Sequence, residues 1–370
     1  MKFVFWQGII SIHQKDFLES LAVSTGVGGV TLVVENTISG YRTQMGWKVP
    51  EIKHVNLIIS PTPDLIASLI RDKKEAIHIF GGLRVGQMLT TAFDLAIKSK
   101  VKIGVMTEPF DRTGIKGKIR FLKYFAYKLK YFGKIDFVLA IGKAGVKAYS
   151  DLGYPDARLF PWAYFINVPD KYLEEKPGEG VAPLRLLFAG RLDANKAIAR
   201  FVGELVQFKS KNFVFDIYGT GEEEEKIRKS AKDNGLADRI RIYPFMEHDA
   251  FLEKYQEYDW VVLVSQFKDG WGAIVGEGLQ NGLNAICSKV CGASWAVNEG
   301  FNGITFDWNK PGDCHAAIEK MLNNGGNEDQ KLRSDWAKGA LSGAAGANYL
   351  LRIMGCVYAG KEKPAIPWTR

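Results

Sequence analysis

The strongest constraint on the fold is a recurrence. Short apolar runs stand at residues 3–5, 30–34, 55–59, 77–80, 103–106 and 137–141, with stretches of helical periodicity between them. Runs this short are buried strands, and strands alternating with helices predict a parallel sheet with right-handed crossovers. After residue 141 the pattern lapses: the text from Gly153-Tyr154 to Pro161-Trp162-Ala163 reads as the end of one such domain, residues 1–167. Residues 168–183, rich in proline, glycine and charge, read as a linker. The pattern restarts at Leu184 with LRLLFAGRLDANK, FVFDIYGTGEEEEK, IRIYPF and the apolar run 260–264, giving a second α/β half over 184–345. A chain of 370 residues is long enough for two buried cores. Ligands of such sheets sit at the carboxyl ends of the strands.

Glycines fall where strands end: Gly8 after the first strand of the first half, Gly190 after the first strand of the second, and Gly219 and Gly221 after FVFDIY. None has the G-x-G-x-x-G spacing of a dinucleotide site, so a dehydrogenase is a poor fit. The densest signal is SQFKDGWGAIVGEGLQNGLNAICS, residues 265–288. Here a strand passes through the turn Gly270-Trp271-Gly272 into a helix beginning near Ala273 and Ile274. Glycines let a ligand approach the backbone, and the free N–H groups of a first helical turn carry partial positive charge, which suits a diphosphate. Asp269 and Glu277 frame the turn and can reach sugar hydroxyls. An ordinary strand-turn-helix unit with a surface Asp and a capping Glu has the same text.

Upstream, GRLDANK places Arg191 and Lys196 just after a strand, a planar fork and a point charge suited to a diphosphate, or simply two solvated cations. With Tyr218-Gly219-Thr220-Gly221-Glu222 and ADRIRIYPFMEHD, these segments follow one another over residues 184–303 in the order seen in retaining glycosyltransferases of family four, the group 1 or E-x7-E type, which the chain resembles. Two residues depart from that pattern: Asp269 stands where the family has Glu, and Ala197 where a Gly usually follows the Lys.

The resemblance implies a GT-B fold, two Rossmann-like domains with parallel sheets facing across a cleft, and a last helix, after about residue 346 and within 346–370, that crosses back to the N-terminal domain. It implies a donor sugar contact for Asp269, a ribose contact for Glu277 and a nucleobase lying near Phe245 and Met246. The donor is then a UDP- or GDP-linked hexose. Departure of its diphosphate toward Arg191, Lys196 and the helix N-terminus stabilises the developing charge. The leaving phosphate oxygen can take the acceptor's proton on the same face, so neither a cofactor nor a metal is called for; no D-x-D and no standard Cys/His spacing is present. On the acceptor side, His13 and Glu108, the latter after Thr107 at a strand end, are candidates; a helix-start polar residue and a surface acid are the plainer readings.

Charge supplies the last element. From Arg112 to Lys134 the chain carries eight cations and no acid, matching the whole formal charge of +8. On a helical wheel Ile115, Ile119, Leu122, Phe125, Ala126 and Leu129 share one face, and Lys116, Arg120, Lys123, Lys130 and Lys134 another, flanked by Tyr124, Tyr127 and Tyr131. The expectation is that the apolar stripe faces the core while cations and tyrosines meet an anionic bilayer over 112–134; nucleic acid, the rival partner, lacks a recognised fold here. No run approaches the about 18 apolar residues of a membrane span. The N-terminus reads as a strand rather than a signal peptide, and four scattered cysteines read as free thiols in a reducing cytoplasm. These readings predict a hexosyltransferase acting on a lipid-linked or cell-envelope glycan acceptor, cytoplasmic and peripheral at the inner membrane face. A non-catalytic nucleotide-sugar-binding protein, or a phosphorylase or epimerase on the same scaffold, is the alternative.

Overall fold

Strands covered on both faces read as unbroken apolar text, because neither face meets water. The computed structural model describes residues 1–37, 49–83, 86–169, 182–267, 269–324 and 329–370, so part of the 168–183 segment lies outside the described residues. Its first sheet comprises β1 (Phe3–Ile9), β2 (Val30–Asn36), β3 (Asn56–Ile59), β4 (Ile77–Gly81), β5 (Lys102–Thr107), β6 (Phe137–Ile141) and β7 (Leu159–Trp162). The second comprises β8 (Leu184–Ala189), β9 (Phe213–Tyr218), β10 (Ile240–Tyr243), β11 (Trp260–Leu263), β12 (Asn284–Ser288) and β13 (Gly303–Phe306). The strand orders are β3-β2-β1-β4-β5-β6-β7 and β10-β9-β8-β11-β12-β13, and every pair is parallel. In each sheet the first strand is central and the chain winds outward one way, then the other. Both units are therefore doubly wound and Rossmann-like, with a switch point between β1 and β4 in one and between β8 and β11 in the other.

The chain divides into two units, Met1–Ile166 with Ser342–Pro367, and Asn167–Leu341 with Trp368–Arg370. Several details differ from the sequence reading. β1 runs one residue past Gly8 instead of ending there. The supposed domain end contains β7, an edge strand, where a proline such as Pro161 is tolerated because the outer side makes no ladder bonds. The last helix begins at Gly343, just before residue 346, and directly follows another: the two are Gln330–Leu341 and Gly343–Ala359. Ser342 makes the break: its extended backbone (φ −69°, ψ 163°) lets its side chain cap the second helix at Ala345 N, 3.2 Å away. A Cβ on Gly343 would lie 2.3 Å from the Asp16 carbonyl oxygen, so glycine seats this helix on the helix Ile12–Thr25.

Beneath the first sheet Trp6 donates to His78 Nδ1 at 3.1 Å, and His78 Nε2 meets the Lys73 carbonyl at 3.1 Å. Burial holds the His78 pKa down at about 4, which keeps the ring neutral and able to make both bonds.

The basic helix is Gly114–Tyr131, and its orientation corrects the sequence reading. Its aromatic side faces inward: Tyr124 stacks on Phe110 with centroids 4.4 Å apart, and Tyr131, buried, meets Phe93 edge-on at 5.1 Å. The aliphatic stripe expected in the core is exposed instead, Ile115 to 78%, Leu122 to 65% and Leu129 to 59%. Phenol rings win the inward face because they reach deep into the core while keeping a polar end satisfied, as Tyr131 does at Asp94, 3.2 Å away.

Candidate functional site

At the carboxyl edge of the second sheet the loops after β8 and β9 are joined backbone to backbone. Gly190 N bonds to the Tyr218 carbonyl and Leu192 N to the Thr220 carbonyl, both at 2.9 Å. A Cβ on Gly219 would lie 1.8 Å from the Gly190 oxygen, and one on Gly221 2.4 Å from the Leu192 oxygen. These glycines thus serve the close approach of two protein loops, which fixes the path of GRLDANK.

That path carries Lys196 to the switch point, where the loops after β8 and β11 are neighbours. Lys196 Nζ lies 2.5 Å from Asp269 Oδ2, and Ser265 Oγ donates to the same oxygen at 2.8 Å. Both charged side chains are largely covered, 17% and 15% exposed, so the pair is shielded from water and salt. Gln266 ties the loops further, its N–H to the Asn195 carbonyl at 2.8 Å and its side-chain amide to the Ala194 carbonyl at 2.7 Å. Arg191 is half-exposed and pairs with Asp193 at 3.1 Å.

Beyond Asp269 the chain turns through Gly270, Trp271 and Gly272 into the helix Ala273–Gln280. Gly272 needs its φ of 101°, and a Cβ there would meet Leu263 at 2.2 Å. Among the described residues no side chain caps this helix, so the N-terminal N–H groups near Ala273 and Ile274 lack that partner. The Trp271 indole is buried edge-on against Trp368, so this residue offers a ligand only its backbone.

One turn into the helix, Glu277 is buried with both oxygens engaged. His248 Nε2 lies 3.0 Å from Oε1, and the Tyr255 hydroxyl donates to Oε2 at 2.5 Å. Burial, then the Glu277 charge, pushes the Tyr255 pKa well up, so Tyr255 remains a donor. A carboxylate so held keeps lone pairs for a ligand hydroxyl. Phe245 is exposed and Met246 half-buried in the loop after β10, at the same edge. Ser265, His248 and Tyr255 were not picked out from sequence. Only His248, in MEHD at a helix start, left a signal there.

In the first unit the two acceptor candidates share a partner. The His13 ring, on the helix Ile12–Thr25, stacks on Tyr164 at 5.0 Å and 8°, and the Tyr164 hydroxyl donates to Glu108. Tyr164 lies just after β7, the strand missed from sequence. Gly8 leaves its side of β1 open, with nothing within 4 Å of a built Cβ. Among the described residues no cluster of three or more His, Cys, Asp or Glu could hold a metal, and the four cysteines are free.

The family model for glycosyl transferases group 1 matches residues 172–342. A D-inositol 3-phosphate glycosyltransferase of Acidothermus cellulolyticus is 27% identical over 170 residues, 43% of this chain and 36% of that protein. The chain thus spans about a third of that curated relative's length. Among solved structures, the lipopolysaccharide outer core galactosyltransferase WaaB superposes with a TM-score of 0.70 at 13% identity, over 96% of this chain and 99% of that one. Anabaena HepE in complex with UDP gives 0.68 at 12% identity, over 96% and 100%. Residues 172–342 thus match the glycosyl transferases group 1 model, and the chain has the GT-B fold of the solved structures it resembles.

Proposed function

We propose that the chain is a retaining, metal-independent hexosyltransferase that uses a UDP- or GDP-linked sugar and a lipid-linked or cell-envelope glycan acceptor at the cytoplasmic face of a membrane, approached through residues 112–134. The observation that carries the reading is the shielded Lys196–Asp269 pair beside the uncapped start of the helix that holds Glu277. A donor diphosphate placed at that helix start meets oriented N–H groups, and Lys196 can exchange Asp269 for a phosphate oxygen. Asp269, released, accepts from a sugar hydroxyl, while Glu277 accepts from the ribose. As the bond from the anomeric carbon to the phosphate oxygen breaks, the acceptor oxygen bonds that carbon on the same face. Its proton passes to the departing phosphate oxygen, and the nucleoside diphosphate leaves. HepE's complexes with UDP and UDP-glucose support a UDP-hexose, and the name of WaaB supports an envelope glycan.

The test starts with thermal shift over a panel of nucleotide sugars, where a true donor at 100 times its Kd adds about 2.7 kcal/mol. Transfer is then assayed with membrane-extract acceptors. Lys196→Ala and Glu277→Gln should each lower transfer by about 100-fold or more without unfolding the chain. Transfer within a few-fold of wild type in both variants would overturn the assignment. A donor that binds tightly yet is never turned over would mark a non-catalytic binder instead.

A further inference from the structure

The helix Gly114–Tyr131 presents to solvent a side that folding has left uncovered. Ile115, Ile119, Leu122 and Leu129 recur at intervals of three, four and seven and are 59–78% exposed, with Phe125 and Phe132 beside them. Water-facing helix positions are ordinarily polar, so a continuous aliphatic ridge there implies a partner. Lysines border it on both flanks, Lys116, Lys123 and Lys130 on one and Lys118 on the other. Of the eight cations over 112–134, only Arg112, with Asp151, and Arg120, with Asp111, have salt bridges among the described residues. A depression of about 400 Å³ at the start of the helix is lined by Arg112, Gly117, Lys118, Phe121 and Leu122. A Cβ on Gly117 would lie 2.1 Å from the Arg112 backbone, so glycine lets the arginine approach the helix.

We propose that this helix seats the first unit in an anionic phospholipid bilayer by burying the ridge Ile115, Ile119, Leu122 and Leu129 among the acyl chains nearest the head groups, while the flanking lysines bind lipid phosphates and Arg112 with Lys118 receives one head group in the depression. Charge selects the occupant: an apolar strip bordered by lysines that have no carboxylate partner among the described residues matches a surface that is apolar beneath and anionic above. It differs from a basic face merely attracted to lipid, since the apolar contact persists when salt screens the charges. The proposal deepens the membrane-borne acceptor reading and rests on it for the choice of a bilayer.

The test is co-sedimentation of the full chain with vesicles of phosphatidylcholine and phosphatidylglycerol, and of phosphatidylcholine alone. Wild type should bind the anionic vesicles and retain part of that binding at high salt. The triple change Ile119→Gln, Leu122→Gln, Leu129→Gln removes only exposed groups, so it should fold normally, and it should weaken partition by roughly tenfold or more at either salt concentration. Lys116→Gln with Lys123→Gln and Lys130→Gln should lose chiefly the salt-sensitive part. Unchanged binding of the ridge variant overturns the proposal. So does a wild-type dimer that the ridge variant dissociates in the absence of lipid binding, or retention on nucleic acid but not on vesicles. Transfer to a soluble acceptor analogue separates the two readings. Loss of vesicle binding by the ridge variant with transfer intact supports the seat. Absence of transfer in wild type that still binds vesicles leaves the seat standing and refutes the enzyme assignment.

Discussion

The two sheets share one winding order, yet their carboxyl edges are built from different materials. In the second unit the edge is backbone: loops after β8 and β9 approach through Gly219 and Gly221, Gly272 turns the chain into a helix, and Lys196 meets Asp269 across the switch point. In the first unit the edge is side chain, with His13 on Tyr164, Tyr164 on Glu108, and an open face at Gly8. A backbone-built edge holds one geometry and suits a ligand portion that does not vary. A side-chain-built edge can be respecified by a few substitutions and suits a ligand portion that varies.

The largest expected effect tests that contrast with the same substitution in both units. Gly219→Ala sets a methyl 1.8 Å from a carbonyl oxygen at a φ of 151°, so loops after β8 and β9 must part. The second unit should lose about 3–5 kcal/mol from overpacking and backbone strain together. Gly8→Ala meets nothing and should change the first unit by less than about 0.5 kcal/mol. Hydrogen exchange of the β9 and β1 amides reads the two separately. A mild Gly219→Ala, or a costly Gly8→Ala, breaks the distinction.

The same contrast explains what could be read in advance. Glycine and proline record backbone demands one residue at a time, so GRLDANK, YGTGE and the DGWG turn were visible as text. Side-chain edges leave no such record: Tyr164 reaches Glu108 only because β7 places it there, and β7 was hidden by Pro161. The same holds for Tyr255, which reaches Glu277 from 22 residues away through packing alone. The helix Gly114–Tyr131 shows the limit of periodicity. The wheel sets the aliphatic stripe apart from the tyrosine-flanked basic face, but the stripe expected in the core is the exposed one, because aromatic reach decides which side packs inward.

A second, smaller effect belongs to the first unit alone. His78 is held neutral with its pKa near 4 against an ordinary value of 6.5. As pH falls below 6.5 the unfolded chain takes up this proton first, so stability present above 6.5 is lost progressively toward pH 4. The shift is worth about 3 kcal/mol at most, and between pH 7 and 4.5 the β1 and β4 amides should lose about 2 kcal/mol of protection. His78→Phe should flatten that part of the profile. An equal loss in β8 and β11, or an unchanged slope in the variant, would assign the acid sensitivity to carboxylates shared by both units.

The smallest effect is a gain, confined to the second unit. Ala197 follows Lys196 at φ 56° and ψ 26°, a left-handed conformation that a side chain makes costly, and it starts the helix Ile198–Leu205. The glycine usual at this position in the enzymes the segment resembles has a local cause in that conformation. Ala197→Gly relieves about 1–2 kcal/mol of backbone strain but gives the unfolded chain more freedom, for a net gain of about 0.5–1 kcal/mol. Denaturant unfolding should show the gain as a higher midpoint with an unchanged slope. If stability falls instead, the buried Ala197 methyl contributes more packing than its conformation costs. The edge would then be held by side-chain contact even where its text is most motif-like, and the division between a backbone-built and a side-chain-built unit would be one of degree.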